Sequence, residues 1–120
     1  VKTAESEGEV YHPTQKPVEL GRYLIRTFSN PGDIILDNAC GSGSFLLSAI
    51  LENRRFIGIE KNEDVLLHRI PTDYIKICMD RISETLKREE VTPSTRKLFK
   101  KPITKYHTLN YLETDATNQL

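Results

Sequence analysis

The sequence predicts an α/β fold in which short parallel strands are flanked by helices, and three observations carry that prediction. Ile34-Ile35-Leu36 and Phe56-Ile57-Gly58-Ile59 are short, continuous apolar runs, as strands buried on both faces are. Between them lies Phe45 to Leu51, a helix apolar all round its surface, which must be buried or cover a sheet face. The first run passes directly into Gly41-Ser42-Gly43, so strand, tight turn, helix and strand follow in order. Such a β-loop-α-β unit of about 30 residues implies parallel strands joined by a right-handed crossover.

The elements around this unit follow in chain order. Residues 1–11 are polar, carry Glu5, Glu7 and Glu9, begin at Val1 without a methionine, and suit a fragment or a linker. His12-Pro13-Thr14-Gln15-Lys16-Pro17 comes next, and Pro17 suits a first helical turn because its missing N–H costs nothing there. Leu20, Leu24 and Phe28, four apart and flanked by Val18 and Ile25, predict one apolar helix face. Asn30-Pro31-Gly32-Asp33 ends that helix with turn chemistry, and Asn53-Arg54-Arg55 makes the turn into the second strand. From Asn62 to Asp73 the pattern weakens, with Val65-Leu66-Leu67 and a break at Pro71. Tyr74 to Leu86 is amphipathic, with Ile75, Cys78, Met79, Ile82 and Leu86 on one side. From Val91 the chain is Thr-rich and poor in aliphatics, which predicts an extended or partly disordered tail. The expected organisation is a linker (1–11), one partial domain (12–90) and a polar, basic tail (91–120).

Composition bounds the function. With 120 residues the chain has room for one small domain, and an apolar share of 38% predicts a modest core. Seventeen basic residues balance seventeen acidic ones, unlike a freestanding DNA binder, whose affinity rests on neutralising phosphates. The charges are uneven, however: residues 1–73 carry a net −3 and residues 74–120 a net +3. Arg96, Lys97, Lys100, Lys101 and Lys105, interleaved with Phe99 and Tyr106, are therefore the candidates for a minor phosphate contact. Cys40 and Cys78 stand far apart without metal-ligand spacing, and no metal site is expected. Two cysteines of this kind suit a reducing compartment, so a soluble, cytoplasmic protein is expected. No apolar stretch approaches the ~20 residues of a membrane span.

The loop after the first strand is a candidate ligand site. Small residues let the backbone approach a ligand, and a helix N-terminus beside it offers N–H donors. The dinucleotide fingerprint is absent, because Leu46 stands where its third glycine belongs, and no Gly-Lys-Ser/Thr of a P-loop occurs. Asp37 ends the first strand. A carboxylate there repels a pyrophosphate but suits a ligand bearing ammonium and sulfonium groups, which favours S-adenosylmethionine over a dinucleotide. Glu60 ends the second strand, 17 residues after Gly43, where an acidic side chain can accept from both ribose hydroxyls.

The runs H-P-T-Q-K-P-V-E-L, I-L-D-N-A-C-G-S-G-S and F-I-G-I-E, in that order, resemble the β-class DNA amino-methyltransferases, which modify adenine or cytosine. The resemblance covers Tyr11 to Glu60 and, more loosely, Asp73 to Ile82. It implies part of a Rossmann-like S-adenosylmethionine-dependent methyltransferase fold, acting on double-stranded DNA as in restriction–modification. It also implies residue roles. Thr14 and Lys16 would lie near the methionine carboxylate, while Asp37 and the Gly41-Ser42-Gly43 backbone would cradle the methionine portion. Glu60 would hold the ribose, with Ile59 or Lys61 near the adenine.

Three departures qualify the resemblance. Ala39 stands where the family commonly has an aromatic packed on the cofactor. About ten residues, including His68 and Pro71, are inserted after Glu60, and His68 is expected to be a surface or packing residue. The exocyclic amino group is a poor nucleophile, and the family meets it with an Asp/Asn/Ser-Pro-Pro-aromatic loop around the flipped base. The six prolines here, at 13, 17, 31, 71, 93 and 102, are never adjacent, so that loop is not in this sequence. No residue resembles a target-recognition region either. The expectation is a cofactor-binding portion, inactive alone, whose catalytic half is supplied elsewhere or in trans. A non-catalytic cofactor-fold protein with a regulatory or partner-binding role is the alternative. A small-molecule methyltransferase is disfavoured by H-P-T-Q-K-P. A partial sheet should also leave an exposed edge and an uncovered apolar face, which invite association.

Overall fold

Helix α1 (Val18–Phe28) starts directly after Pro17 in the computed structural model, which describes residues 15–62, 66–67, 70–99, 104–106 and 111–113. It buries Gly21 and Ile25. A Cβ on Gly21 would lie 2.3 Å from Ser48 Oγ and 2.6 Å from Phe45 Cδ1, so only glycine allows this approach to α2 (Ser44–Leu51). Ser48 Oγ closes the contact by donating to Val18 O at 2.8 Å. Of the apolar face expected from Leu20, Leu24 and Phe28 with Val18 and Ile25, Ile25 is buried and Val18 packs on the core, whereas Leu24 and Phe28 are exposed. Phe28 is 80% exposed, because the helix rotates to seat its glycine rather than its largest side chains.

Seven of the eight residues of α2 are buried, which explains its all-round apolarity: it contacts α1, α3 and the sheet. Strand β1 (Ile34–Asp37) pairs in parallel with β2 (Arg55–Ile59), Ile35 opposite Phe56 and Asp37 opposite Gly58. Both strands thus end at the same edge, where the loop 38–43 and Glu60 meet. The short strands β3 (Leu66–Leu67) and β4 (Ile70–Pro71) form a separate antiparallel ladder. Helix α3 (Tyr74–Leu86) has the bounds the sequence predicts. Asp73 caps it by accepting from Lys76 N, and Ile75, Cys78 and Ile82 face the core.

Three expectations are corrected. Leu36 is 62% exposed, so β1, an edge strand, is covered on one face only. Among the described strands, the expected parallel arrangement holds for β1 and β2 alone. Strand β6 (Tyr111–Glu113) adds antiparallel to β2, and β5 (Thr104–Tyr106) antiparallel to β6, giving the order β1-β2-β6-β5. Residues 91–99 fold onto the core instead of extending. Val91 and Thr95 are buried, α4 (Pro93–Leu98) is capped by the Thr92 hydroxyl, and Phe99 stacks on Phe56 with ring centres 6.0 Å apart. Hydroxyls do the anchoring, since Thr92 and Thr95 both donate to Asn53 Oδ1. Asn53 itself takes a left-handed turn at φ 63°.

Buried Arg54 ties two helix ends together. It donates to Ser29 Oγ at 3.0 Å, Ser29 O at 2.7 Å and Glu52 O, satisfying carbonyls that no helix turn can reach. Glu52, also buried, accepts from Arg26 Nε at 2.7 Å and Arg22 Nη2 at 3.4 Å.

Candidate functional site

The loop between β1 and α2 is shaped by two left-handed glycines, Gly41 at φ 53° and Gly43 at φ 91°. Gly43 N donates to Cys40 O at 2.8 Å, closing the turn. Gly43 also touches α3: a Cβ on it would lie 2.9 Å from Cys78 Sγ. Gly58 on β2 is required for a similar reason, because its Cβ would meet Leu46 Cδ1 at 2.7 Å and Cys40 Sγ at 3.3 Å. These positions let the loop sink between the sheet and the helices, with Gly41 to Ser44 all buried.

A cavity of about 180 Å³ opens on this loop, lined by Lys16, Asp37, Ala39, Gly41 and Ser42 among the residues singled out from sequence. Gln15, Cys40, Ser44 and Phe45 complete its wall. It is smaller than the ~300–1,000 Å³ of pockets that enclose a whole small ligand, so it has room for part of one. Gly43 and Glu60 are not among the residues that line it. Thr14 lies outside the described residues, as does His68.

Glu60 is occupied with the loop. Its Oε1 accepts from Gly41 N at 3.1 Å and its Oε2 from Asn62 N at 3.4 Å. Asn62, at φ 56°, in turn anchors the start of α3: its Oδ1 accepts from Tyr74 N at 2.8 Å, and its Nδ2 donates to Asp73 Oδ1 at 2.9 Å. Asp37 accepts from Ala39 N at 3.1 Å. Burial pushes the Asp37 carboxyl up from its ordinary value, the Ala39 N–H opposes this, and the negative charge of Glu60 adds to it. Cys40 and Cys78 are free, buried thiols; hydrogen bonding to Cys78, then burial, drives the Cys40 thiol well above its usual range. Cys40 packs in the wall, where burial disfavours the thiolate that a nucleophile needs.

The family of DNA methylases matches residues 1–68, more than half of the chain. The chain belongs to that family of DNA amino-methyltransferases. It is similar to the DNA adenine methyltransferase YhdJ of Escherichia coli, 44% identical over 71 residues that cover 59% of this chain and 21% of that protein. The type II methyltransferase M.HindIII of Haemophilus influenzae is 45% identical over 60 residues, covering 50% of this chain and 19% of its own. A putative methylase of Escherichia coli, YubD, is 47% identical over 53 residues, 44% of this chain and 23% of that one. The chain thus spans about a fifth of the length of these curated relatives.

Membership of the DNA methylase family implies a methyl donor. Sequence reading missed Gln15, Phe45 and Ser44 as wall residues, although Gln15 sits between Thr14 and Lys16 in the H-P-T-Q-K-P run. It also missed Arg81 and placed Cys78 only on an apolar face. Both reach the loop from about 40 residues away, a proximity that no spacing rule encodes. Among the basic residues, Arg96 is committed to the fold, donating to Leu86 O at 2.6 Å, Arg88 O at 2.7 Å and Val91 O at 3.3 Å. Among the described residues no group of three or more His, Cys, Asp or Glu is placed to hold a metal, and no helix is long and apolar enough to cross a membrane.

Proposed function

We propose that this chain is the S-adenosylmethionine-binding portion of a β-class DNA amino-methyltransferase with a Rossmann-like fold, centred on residues 12–90. The observation that carries the reading is the cavity that the glycine loop forms beside Asp37. The residues present fit the cofactor. Asp37, half-buried, offers a carboxylate to the ammonium and sulfonium groups, while buried glycine backbone lets the ligand approach without side-chain obstruction. Lys16, with Thr14, would meet the methionine carboxylate. Ala39, Gly41, Ser42 and Gly43 would enclose the methionine portion. Glu60 would hold the ribose: a carboxylate has about four acceptor sites, so its two N–H bonds leave capacity for hydroxyls. Ile59 or Lys61 would border the adenine.

The bound group would supply an electrophilic methyl. This chain's residues would bind and orient it. An amino nucleophile needs acceptors and an aromatic platform around a flipped base, and no Pro-Pro-aromatic loop is present to provide them. The chain alone is therefore inactive, and a catalytic part supplied elsewhere or in trans brings the double-stranded DNA target. Calorimetric titration with S-adenosylmethionine tests the reading, with Asp37→Ala and Glu60→Ala beside the wild type. Binding that both substitutions weaken, in chains shown to be folded by circular dichroism, supports it. A folded wild-type chain that binds nothing refutes it.

A further inference from the structure

Arg81 sits on α3, 39 residues after Ser42, yet its guanidinium lies on the glycine loop. Arg81 Nη1 is 2.9 Å from Ser42 O, 3.1 Å from Ser42 Oγ and 3.2 Å from Ser44 Oγ. One helical turn earlier, Cys78 Sγ donates to Gly41 O at 2.9 Å. A guanidinium has five N–H donors and no acceptor. Ser42 Oγ must therefore accept from Arg81, and its own single proton has to go elsewhere. It goes to Gln15 Oε1, 3.0 Å away. Arg81, Ser42 and Gln15 thus form a directional chain linking α3, the glycine loop and the segment before α1. Gln15, Ser42 and Ser44 all line the cavity, as does Lys16 beside Gln15.

We propose that Arg81 is a positioning residue of this site: it fixes the donor direction of Ser42 and thereby holds Gln15, and with it Lys16, at the cavity wall. The inference rests on the reading of the cavity as the cofactor site. Bonds to a charged donor in a half-buried setting are about twice as strong as neutral ones, so the chain has enough strength to order a short segment. A plain tie between helix and loop would need only the Ser42 carbonyl. The relay needs the Ser42 hydroxyl, and that difference makes it testable.

The experiment measures S-adenosylmethionine affinity by calorimetry for wild type, Arg81→Met, Gln15→Ala and the double variant, each with and without Ser42→Ala. Arg81→Met is expected to weaken binding about tenfold, the scale of losing one charge-assisted bond. Arg81→Lys should recover part of that loss. Arg81→Met and Gln15→Ala should be less than additive, and this coupling should vanish once Ser42 is alanine. Affinity of Arg81→Met within about twofold of wild type overturns the proposal, as does a coupling that persists without the Ser42 hydroxyl. If wild type binds no cofactor, the cavity reading falls and amide resonances decide the relay. The Gln15 side-chain amide must then shift in Arg81→Met as it does in Ser42→Ala, and an unmoved resonance overturns the relay. Should Arg81→Met not fold, Arg81→Lys, which presents a single ammonium with different reach, carries the same comparison.

Discussion

Substituting Gly43 by alanine strikes the loop through two separable mechanisms. The residue sits at φ 91°, ψ 18°, a left-handed conformation that costs a non-glycine residue about 1–2 kcal/mol. The new Cβ would also stand 2.9 Å from Cys78 Sγ, 3.5 Å from its Cβ and 3.6 Å from its Cα. Only the sulfur overlaps, but Cys78 is fully buried and bonded to Gly41 O, so it has little room to retreat. Overpacking of this kind costs roughly 1–3 kcal/mol. Gly43→Ala should therefore lose about 2–5 kcal/mol in urea unfolding followed by circular dichroism, a large part of the stability of a small domain. The two parts come apart in a double-variant cycle. Cys78→Ala removes the overlapping sulfur and leaves φ unchanged, so Gly43→Ala in that background should cost only the backbone share, about 1–2 kcal/mol. A loss below about 1 kcal/mol in the wild-type background, or additivity with Cys78→Ala, would refute this account of how loop and α3 fit.

Four other perturbations probe Asp37, the sheet edge and the basic run. Because Asp37 has a raised value in the fold, its contribution is fully present below the ordinary carboxylate range and is lost as pH rises through the folded value. Asp37→Asn should thus melt above wild type at pH 7 and lose that advantage in acid; equal melting temperatures at pH 7 would count against the burial argument. Leu36, 62% exposed on edge strand β1, should drive self-association of the isolated chain, and Leu36→Lys should suppress it. Sedimentation giving a wild-type monomer at high concentration would contradict this. In a complete enzyme, neutralising Lys97, Lys100, Lys101 and Lys105 should flatten the salt dependence of DNA binding, by up to about 0.9 in the log–log slope for each phosphate no longer neutralised. Arg96→Gln should lower stability instead, since its guanidinium serves three backbone carbonyls.

The unit from β1 to β2 was legible because its cause is local. Strand, glycine turn, helix and strand follow one another without a gap, and α2, enclosed on several sides, must be apolar all round. The bounds of α3 were legible because Asp73 caps it and Ile75, Cys78 and Ile82 repeat on one face. The packing face of α1 was legible only in part, because Gly21 makes the contact by having no side chain and leaves no mark in a hydrophobic pattern. Residues 91–99 escape the pattern for a related reason: threonine hydroxyls bonded to Asn53 hold them, and hydroxyls read as polar surface. At the site, Lys16, Asp37 and the loop do share one cavity. Glu60 could be placed at a strand end by spacing, but its bonds to Gly41 N and Asn62 N depend on a three-dimensional turn.

The two acids that end β1 and β2 differ in role because their surroundings differ. Glu60 disperses its charge over two backbone N–H groups of the segments it joins, and so serves the loop whatever else it binds. Asp37 accepts from the Ala39 N–H, lies half-buried and faces the field of Glu60. A cation beside Asp37 offsets both its desolvation and that repulsion, whereas a phosphate would add a third negative charge to the same space. The proposed ligand, cationic at its ammonium and sulfonium, is the kind that this pair favours. The acids should accordingly fail in distinguishable ways. Asp37→Asn removes an unfavourable charge and should weaken the cofactor while sparing the fold. Glu60→Gln, with one acceptor oxygen for two N–H groups, should loosen Gly41 and Asn62 and lower stability before any ligand is added. Melting curves without cofactor separate the two: equal effects would mean that the difference in their environments has no energetic consequence.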